Sequence, residues 1–244
     1  MATTSMRAAR LEHSAEYTGI YSVSDAALYL RATTPPPRVP LAVWRKQHPS
    51  FIGPSSRQLH RWIRQSIATD KGVDVSARIV TFEELIRLRM ITLLRAHGVP
   101  IHAIMRAEDT ARRLTGSPQP FITEPLWASG SDVVIRIRQH LIAASKGGQL
   151  ALPFLEEFLR PVEHGLLFDA HGVAEAWRPS AGVLLTPHIL FGSPCIEGTR
   201  IATEAIWSMS RAGETVSALA AMYNVHEPAI KNAIAWEELL ARAA

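Results

Sequence analysis

Between residues 55 and 64 the chain reads SSRQLHRWIR, and Arg57, Arg61 and Arg64 recur there at i, i+4 and i+7. On a helix that spacing puts all three guanidiniums on one face. Leu59, Trp62 and Ile63, at i, i+3 and i+4, claim a different face, as the buried stripe of an amphipathic helix does. A guanidinium is a permanently charged, planar fork that fits both a phosphate and the edge of a guanine. Ser55, Ser56 and His60 add hydroxyl and imidazole groups beside it. Ser55, Ser56, Arg57, His60, Arg61 and Arg64 are therefore the candidate DNA-binding residues.

No comparable case exists for catalysis. The chain contains no G-x-G-x-x-G, no phosphate loop and no H-E-x-x-H. Cys195, the one cysteine, follows a proline in a strand-like setting with no base beside it in sequence, and reads as a packed residue. The ten histidines are scattered; His164 and His171 flank a turn, but no metal-ligand spacing connects them. SKGGQ, residues 145–149, has no context for a phosphate site. No catalytic residue, metal or cofactor is assigned.

Charge agrees with a nucleic-acid partner. Residues 1–120 hold 17 Lys/Arg against 9 Asp/Glu, and residues 121–244 hold 9 against 13. A basic, arginine-rich first half is suited to phosphate, and an acidic second half to something else. Apolar residues make up 47% of the 244, enough for a real core. No apolar run reaches the ~18 residues that span a bilayer, the first residues lack the apolar core of a secretory signal, and one cysteine fits a reducing compartment. The expected location is the cytoplasm, with no membrane partner.

The elements that must position the arginines are legible. Residues 1–18 read as a loose tail. Ser24 and Asp25 can cap a short helix over 24–31 whose alanines allow a second helix to come close. The proline-rich stretch 32–54 forbids a continuous helix and leaves room for a short strand or aromatic plug at Val43–Trp44. The arginine helix follows. A brief strand at ARIV then leads into a helix with Thr81 and Glu84 spaced as a capping box, closed at His97–Gly98. A further helix starts at Pro100, turns Ile101, Ile104, Met105 and Leu114 inward, and ends at Gly116. Beyond 118 the texture changes. DVVIRIRQH alternates like a strand, a hairpin is expected around Asp169–Gly172, and broken strand pieces follow up to a helix ended by Gly213. Two last helices flank a turn at Tyr223–Val225. The fold class is mainly α with small β elements (α+β).

These residues resemble known families. YSVSDAALYL, LHRWIR and TFEELIRLRMITLLRAHGVPIHAI look like the MerR-type winged helix-turn-helix, and the proline-rich stretch between its two helices departs from that pattern. The run Gly192, Pro194, Ile196, Gly198, Thr199 and Arg200, followed by helices, is similar to the domain of unknown function 433. Gly198 should adopt a backbone conformation open to glycine, and Arg200 should bridge carbonyls or a carboxylate. Together the two resemble a VapB-type antitoxin. The division is a tail at 1–18, a MerR-like DNA-binding domain at 19–118, and a C-terminal module at 119–244 whose 433-type part spans 184–240 and has a helix-turn-helix-like, tri-helical layout.

The resemblance implies operator DNA and a VapC-type, PIN-like ribonuclease toxin as partners, with the protein repressing its own operon. The acidic module is the expected toxin side. Trp177, Trp207, Tyr223 and Trp236 are candidate aromatic anchors, as aromatic residues dominate interface hot spots, although a core role suits some of them. Arg200 joins this toxin-binding or dimer set. The apolar positions Ile230, Ile234, Trp236, Leu239 and Leu240 exceed what one small module buries, which suggests a homodimer. The alternative is a free-standing MerR-like regulator whose C-terminal domain senses a small ligand.

Overall fold

The computed structural model describes residues 19–33, 53–66, 79–96, 100–123 and 165–244. The tail 1–18, Val43–Trp44, His97–Gly98, the strand expected at 132–140, SKGGQ and His164 lie outside the described residues.

The chain enters through β1 (Tyr21–Ser22) and passes at once into α1 (Val23–Thr33). The cap lies upstream of the expected Ser24: Ser22 Oγ accepts from Asp25 N–H at 3.0 Å and donates to the Asp25 carboxylate at 2.7 Å. Ala26, Ala27 and Leu30 are buried. Against them lies α2 (Ser56–Ser66), capped reciprocally by Ser55 and Gln58. The close approach is fixed by Gly53, whose φ is 86° and where a Cβ would stand 2.6 Å from Arg31 Cγ at the end of α1. β2 (Ile79–Val80) pairs antiparallel with β1, Tyr21 opposite Val80, and so ties the chain beyond α2 back to the start of α1.

α3 (Phe82–Ala96) begins with the expected capping box, Thr81 and Glu84 exchanging bonds at 3.1 and 3.2 Å. Phe82, Leu85, Ile86, Leu88, Met90, Ile91, Leu93 and Leu94 are all buried. A helix buried on nearly every side, its charged residues included, is a central pillar rather than a surface helix. α4 (Ile101–Thr115) runs from Pro100 to a left-handed Gly116, as expected. Its inner face is made of Ala103, Ile104, Ala107 and Ala111, with Glu108 also buried. Leu114, expected inside, is 39% exposed. The sequence pattern counted large residues, whereas the small face of α4 lies close to α3 and is bonded to it by Arg87, whose Nε and Nη2 reach the two Glu108 oxygens at 2.5 and 2.6 Å. Pro120–Ile122 forms a 3-10 turn, and its Phe121 and Ile122 are buried in the same core.

The second sheet is β3 (Leu166–Phe168), β4 (Ala174–Ser180), β5 (Val183–Leu185) and β6 (Cys195–Ile196), antiparallel in that order. Asp169 builds the expected hairpin turn by accepting the N–H groups of His171 and Val173 on its Oδ1, at 2.8 and 2.9 Å. The chain then turns into α5 (Thr203–Arg211), α6 (Val216–Tyr223) and α7 (Glu227–Ala243), with Asn224 left-handed between the last two.

The halves are not separate beads. Trp177, Val183, Leu185, Trp236 and Leu240 belong to the same hydrophobic cluster as α1, α2, α3 and α4. Ile196, Ile206, Leu219, Ile230 and Ala233 form a second, smaller cluster. α7 enters both: Ile230 and Ala233 face the small core, while Trp236 and Leu240 face the large one, the Trp236 ring 6.0 Å from that of Tyr29 on α1. The apolar excess of α7 is thus covered within the same chain, by the small cluster on one side and the large core with α1 on the other, which removes the reason it gave for a homodimer. Residues 119–123 straddle the expected boundary, since Phe121 packs with the N-terminal helices and Thr123 bridges Val173.

Candidate nucleic-acid interface

On α2, Leu59, Trp62 and Ile63 are buried, and Arg57, Arg61 and Arg64 are exposed. The two faces read from spacing are the two faces present. Ser55 is exposed and serves as the cap, while Ser56 and His60 are half-buried at the flank. No hydrogen bond or ion pair among the described residues engages Arg57, Arg61 or Arg64. Other arginines of this half are engaged: Arg87 is held by Glu108, and Arg112 by Asp109 at 2.6 Å. Arg89 is buried over the Trp177 ring, 5.1 Å from its centroid, and burial lowers its pKa to about 9. Among the described arginines of the first half, Arg87, Arg89 and Arg112 bind the fold together, Arg106 on α4 is exposed singly, and Arg57, Arg61 and Arg64 stand as a row of three on the outer face of α2.

The other candidate residues fall in three places. Trp177 and Trp236 are fully covered by the chain itself, so neither offers surface to a partner; they are core. Tyr223 is half-buried in the small cluster and donates its hydroxyl to Met209 Sδ at 3.3 Å. Arg200 and Trp207 come together on the wall of a cleft of about 640 Å³ between α1 and the C-terminal module.

The glycine-proline run beneath that cleft is a folded corner. Gly192, with φ 93°, lies against Tyr21, whose hydroxyl donates to the Gly192 carbonyl at 3.0 Å. The Pro194 carbonyl accepts from Thr203 N–H, and Thr199 donates its hydroxyl to the Ile196 carbonyl at 2.8 Å. Gly198 has φ 77°, the conformation expected of it. Arg200 is exposed and makes no bridge to a carbonyl or carboxylate among the described residues, contrary to expectation.

Sequence reasoning missed Tyr29, Phe191 and Glu237, which share this cleft. Phe191 is 72% exposed on a turn where Leu190 and Phe191 both have positive φ. Its carbonyl accepts from Ile20 N–H at 2.9 Å. Contacts between distant parts of the chain bring these residues together, Ile20 with Phe191, Tyr21 with Gly192 and Tyr29 with Trp236, and no local pattern announces them. Burial pushes the Glu237 carboxyl up, the Thr203 hydroxyl bonded to it opposes that, and Glu204 adds to the rise.

Three comparisons bear on this architecture. Residues 183–236 match the family model described as protein of unknown function (DUF433). The X-ray crystal structure of Rv2018 from Mycobacterium tuberculosis is similar in fold, with a TM-score of 0.58 at 20% identity, covering 88% of this chain and 96% of that one. No curated protein matches the sequence. No helix among the described residues is long and apolar enough to cross a membrane.

Proposed function

We propose that the protein is a DNA-binding antitoxin: α2 reads operator DNA, and the C-terminal module engages a VapC-type ribonuclease toxin. The observation that carries the DNA part is the outer face of α2, where Arg57, Arg61 and Arg64 stand exposed while Leu59, Trp62 and Ile63 anchor the helix on α1. A recognition helix needs that division, with one face held rigidly by its partner helix and the other offered to the groove. The order β1, α1, α2, β2, α3, in which the serine-capped helix and the tryptophan-containing helix precede a phenylalanine-led long helix, resembles the MerR-type pattern and supports the same reading. A two-fold dimer remains part of the proposal only through the symmetry of operators read by such helices.

The toxin part rests on the resemblance to VapB-type antitoxins and on the acidic balance of residues 121–244. A ribonuclease mouth attracts phosphate, and an acidic surface is complementary to it, which favours rapid association. With Trp177 and Trp236 in the core, Trp207, Tyr223 and Arg200 are the remaining anchors on that side.

The test is fluorescence anisotropy with DNA from upstream of the coding region, at several salt concentrations. Arg57→Ala or Arg61→Ala should each cost ~1–3 kcal/mol if the guanidinium reads a base edge. A phosphate contact should instead weaken all sequences alike and lower the salt slope by about 1. Wild-type binding by both variants removes the DNA reading. Co-expression with the neighbouring nuclease, followed by pull-down and RNA cleavage, tests the toxin reading separately; a nuclease that neither binds nor is inhibited removes it.

A further inference from the structure

The cleft between α1 and the C-terminal module has a chemistry of its own. Its volume, about 640 Å³, is within the roughly 300–1,000 Å³ usual for small-molecule sites. Leu28 and Tyr29 of α1 form one side, and Phe191, Trp207 and Leu240 the other. Asp25, Glu204 and Glu237 enter between these apolar walls, against a single guanidinium, Arg200, with His188 at the margin.

The three carboxylates lack a cationic partner among the described residues. Asp25 takes the Ser22 hydroxyl and Glu237 the Thr203 hydroxyl, both neutral donors. Glu204 makes no hydrogen bond or ion pair there, and Arg200 pairs with none of the three. Their field converges: all three raise the Tyr29 phenol, after burial as the larger cause, and Glu204 also raises Glu237. Carboxylates held together without a counter-ion favour a cation between them. No group of three metal-ligating side chains close enough to hold a metal ion exists among the described residues. The lining instead combines carboxylates with apolar and aromatic walls, which suits an organic cation. Aromatic faces attract such cations, and Tyr29 and Trp207 supply them. Arg211 already stands over one face of Trp207, 5.6 Å from the ring centroid, so this indole is in use as a cation platform from outside.

We propose that this cleft binds a small organic cation with an apolar body, its ammonium group among Asp25, Glu204 and Glu237 and its body against Trp207 and Leu240. The cleft shares Trp207 and Arg200 with the proposed toxin-facing side, and the test below reads ligand binding by the free chain, with neither DNA nor toxin present.

The test is isothermal titration calorimetry of the full chain with phenethylamine, and with 2-phenylethanol as a neutral molecule of nearly the same shape. The amine should bind with one-to-one stoichiometry and at least about tenfold more tightly than the alcohol, the ratio a charged hydrogen bond supplies. Glu204→Gln should bring the two affinities together, and Trp207→Leu should weaken both. Glu204 is exposed, so its variant should melt at the wild-type temperature; Glu237→Gln serves as the second probe of the same charge. Equal binding of amine and alcohol, no binding of either, or an amine affinity unchanged in both carboxamide variants overturns the proposal.

Discussion

In the N-terminal helix pair, α2 keeps Leu59, Trp62 and Ile63 inside and turns Arg57, Arg61 and Arg64 outward. In the C-terminal pair, α7 keeps Ile230, Ala233, Trp236 and Leu240 inside and turns out Glu227, Lys231, Glu238 and Arg242. Both are second helices of a short helical pair, and both are amphipathic. Their outer faces differ in kind. Three like charges on α2 repel one another and meet no counter-charge among the described residues, whereas Lys231 on α7 closes on Glu227 at 3.3 Å, one turn away, and the face largely neutralises itself. The proposed DNA reading of α2 therefore rests on the uncompensated charge of its outer face and not on layout, which α7 shares. The inner faces differ too. α2 serves one core, while α7 serves two and joins the module to α1.

The joint is where the comparison can be broken most severely. Trp236→Ala removes a fully buried indole from the large core, and such truncations cost ~3–5 kcal/mol. Trp207→Ala, at a half-buried residue on the cleft wall, should fall near the common surface range, within about 0.5–1 kcal/mol. Urea denaturation followed by far-ultraviolet circular dichroism measures both. If the two variants lose similar stability, α7 does not carry the junction between the halves.

A smaller effect separates two glycines of one corner. At Gly192, φ 93°, a Cβ would run into the Tyr21 hydroxyl; at Gly198, φ 77°, it would meet nothing within 4 Å. Gly198→Ala should therefore cost only the left-handed strain, roughly 1–2 kcal/mol, and Gly192→Ala more than that, because it also disturbs the Tyr21 bond to the Gly192 carbonyl. Equal losses in thermal melts would mean that the Tyr21 contact contributes nothing beyond backbone geometry.

The contrast between these glycines marks how far sequence carries. The helix cap at Thr81, the stop at Gly116, the Asp169 hairpin and the two faces of α2 depend on side chains within a few positions of each other, so spacing reveals them. Gly198 is legible for the same reason, since it serves its own turn. Gly192 serves Tyr21 in the other half of the chain, and Trp236 serves Tyr29. Neither partner leaves a local trace, so the module's own sequence shows more apolar residues than it can bury and not the helix of the other half that covers them. The cleft was illegible for that reason too: its carboxylates come from α1, α5 and α7 and gather only once α7 has docked.

The finest test concerns one of those carboxylates, Glu237 on α7, which faces Thr203 and Glu204 from α5 and Tyr29 and Asp25 from α1, with Arg200 on the same wall. Burial pushes its pKa up, and Glu204 adds to that. The folded state then holds the Glu237 proton more tightly than the unfolded chain does, where a glutamate titrates near ~4.3. Its contribution to stability is complete below that unfolded value and is lost as pH rises through the higher folded value. Glu237→Gln keeps an oxygen to accept the Thr203 hydroxyl and cannot ionise. Relative to wild type, the variant should gain stability between about pH 4 and pH 7, with the difference smallest at the acid end. Adding Glu204→Gln to both proteins should shrink that difference, because one source of the shift is gone. Urea midpoints across this range measure it, and a gap that stays constant or narrows toward neutrality would mean that Glu237 meets its own compensating cation in the folded protein, leaving the cleft less negative than its side chains imply.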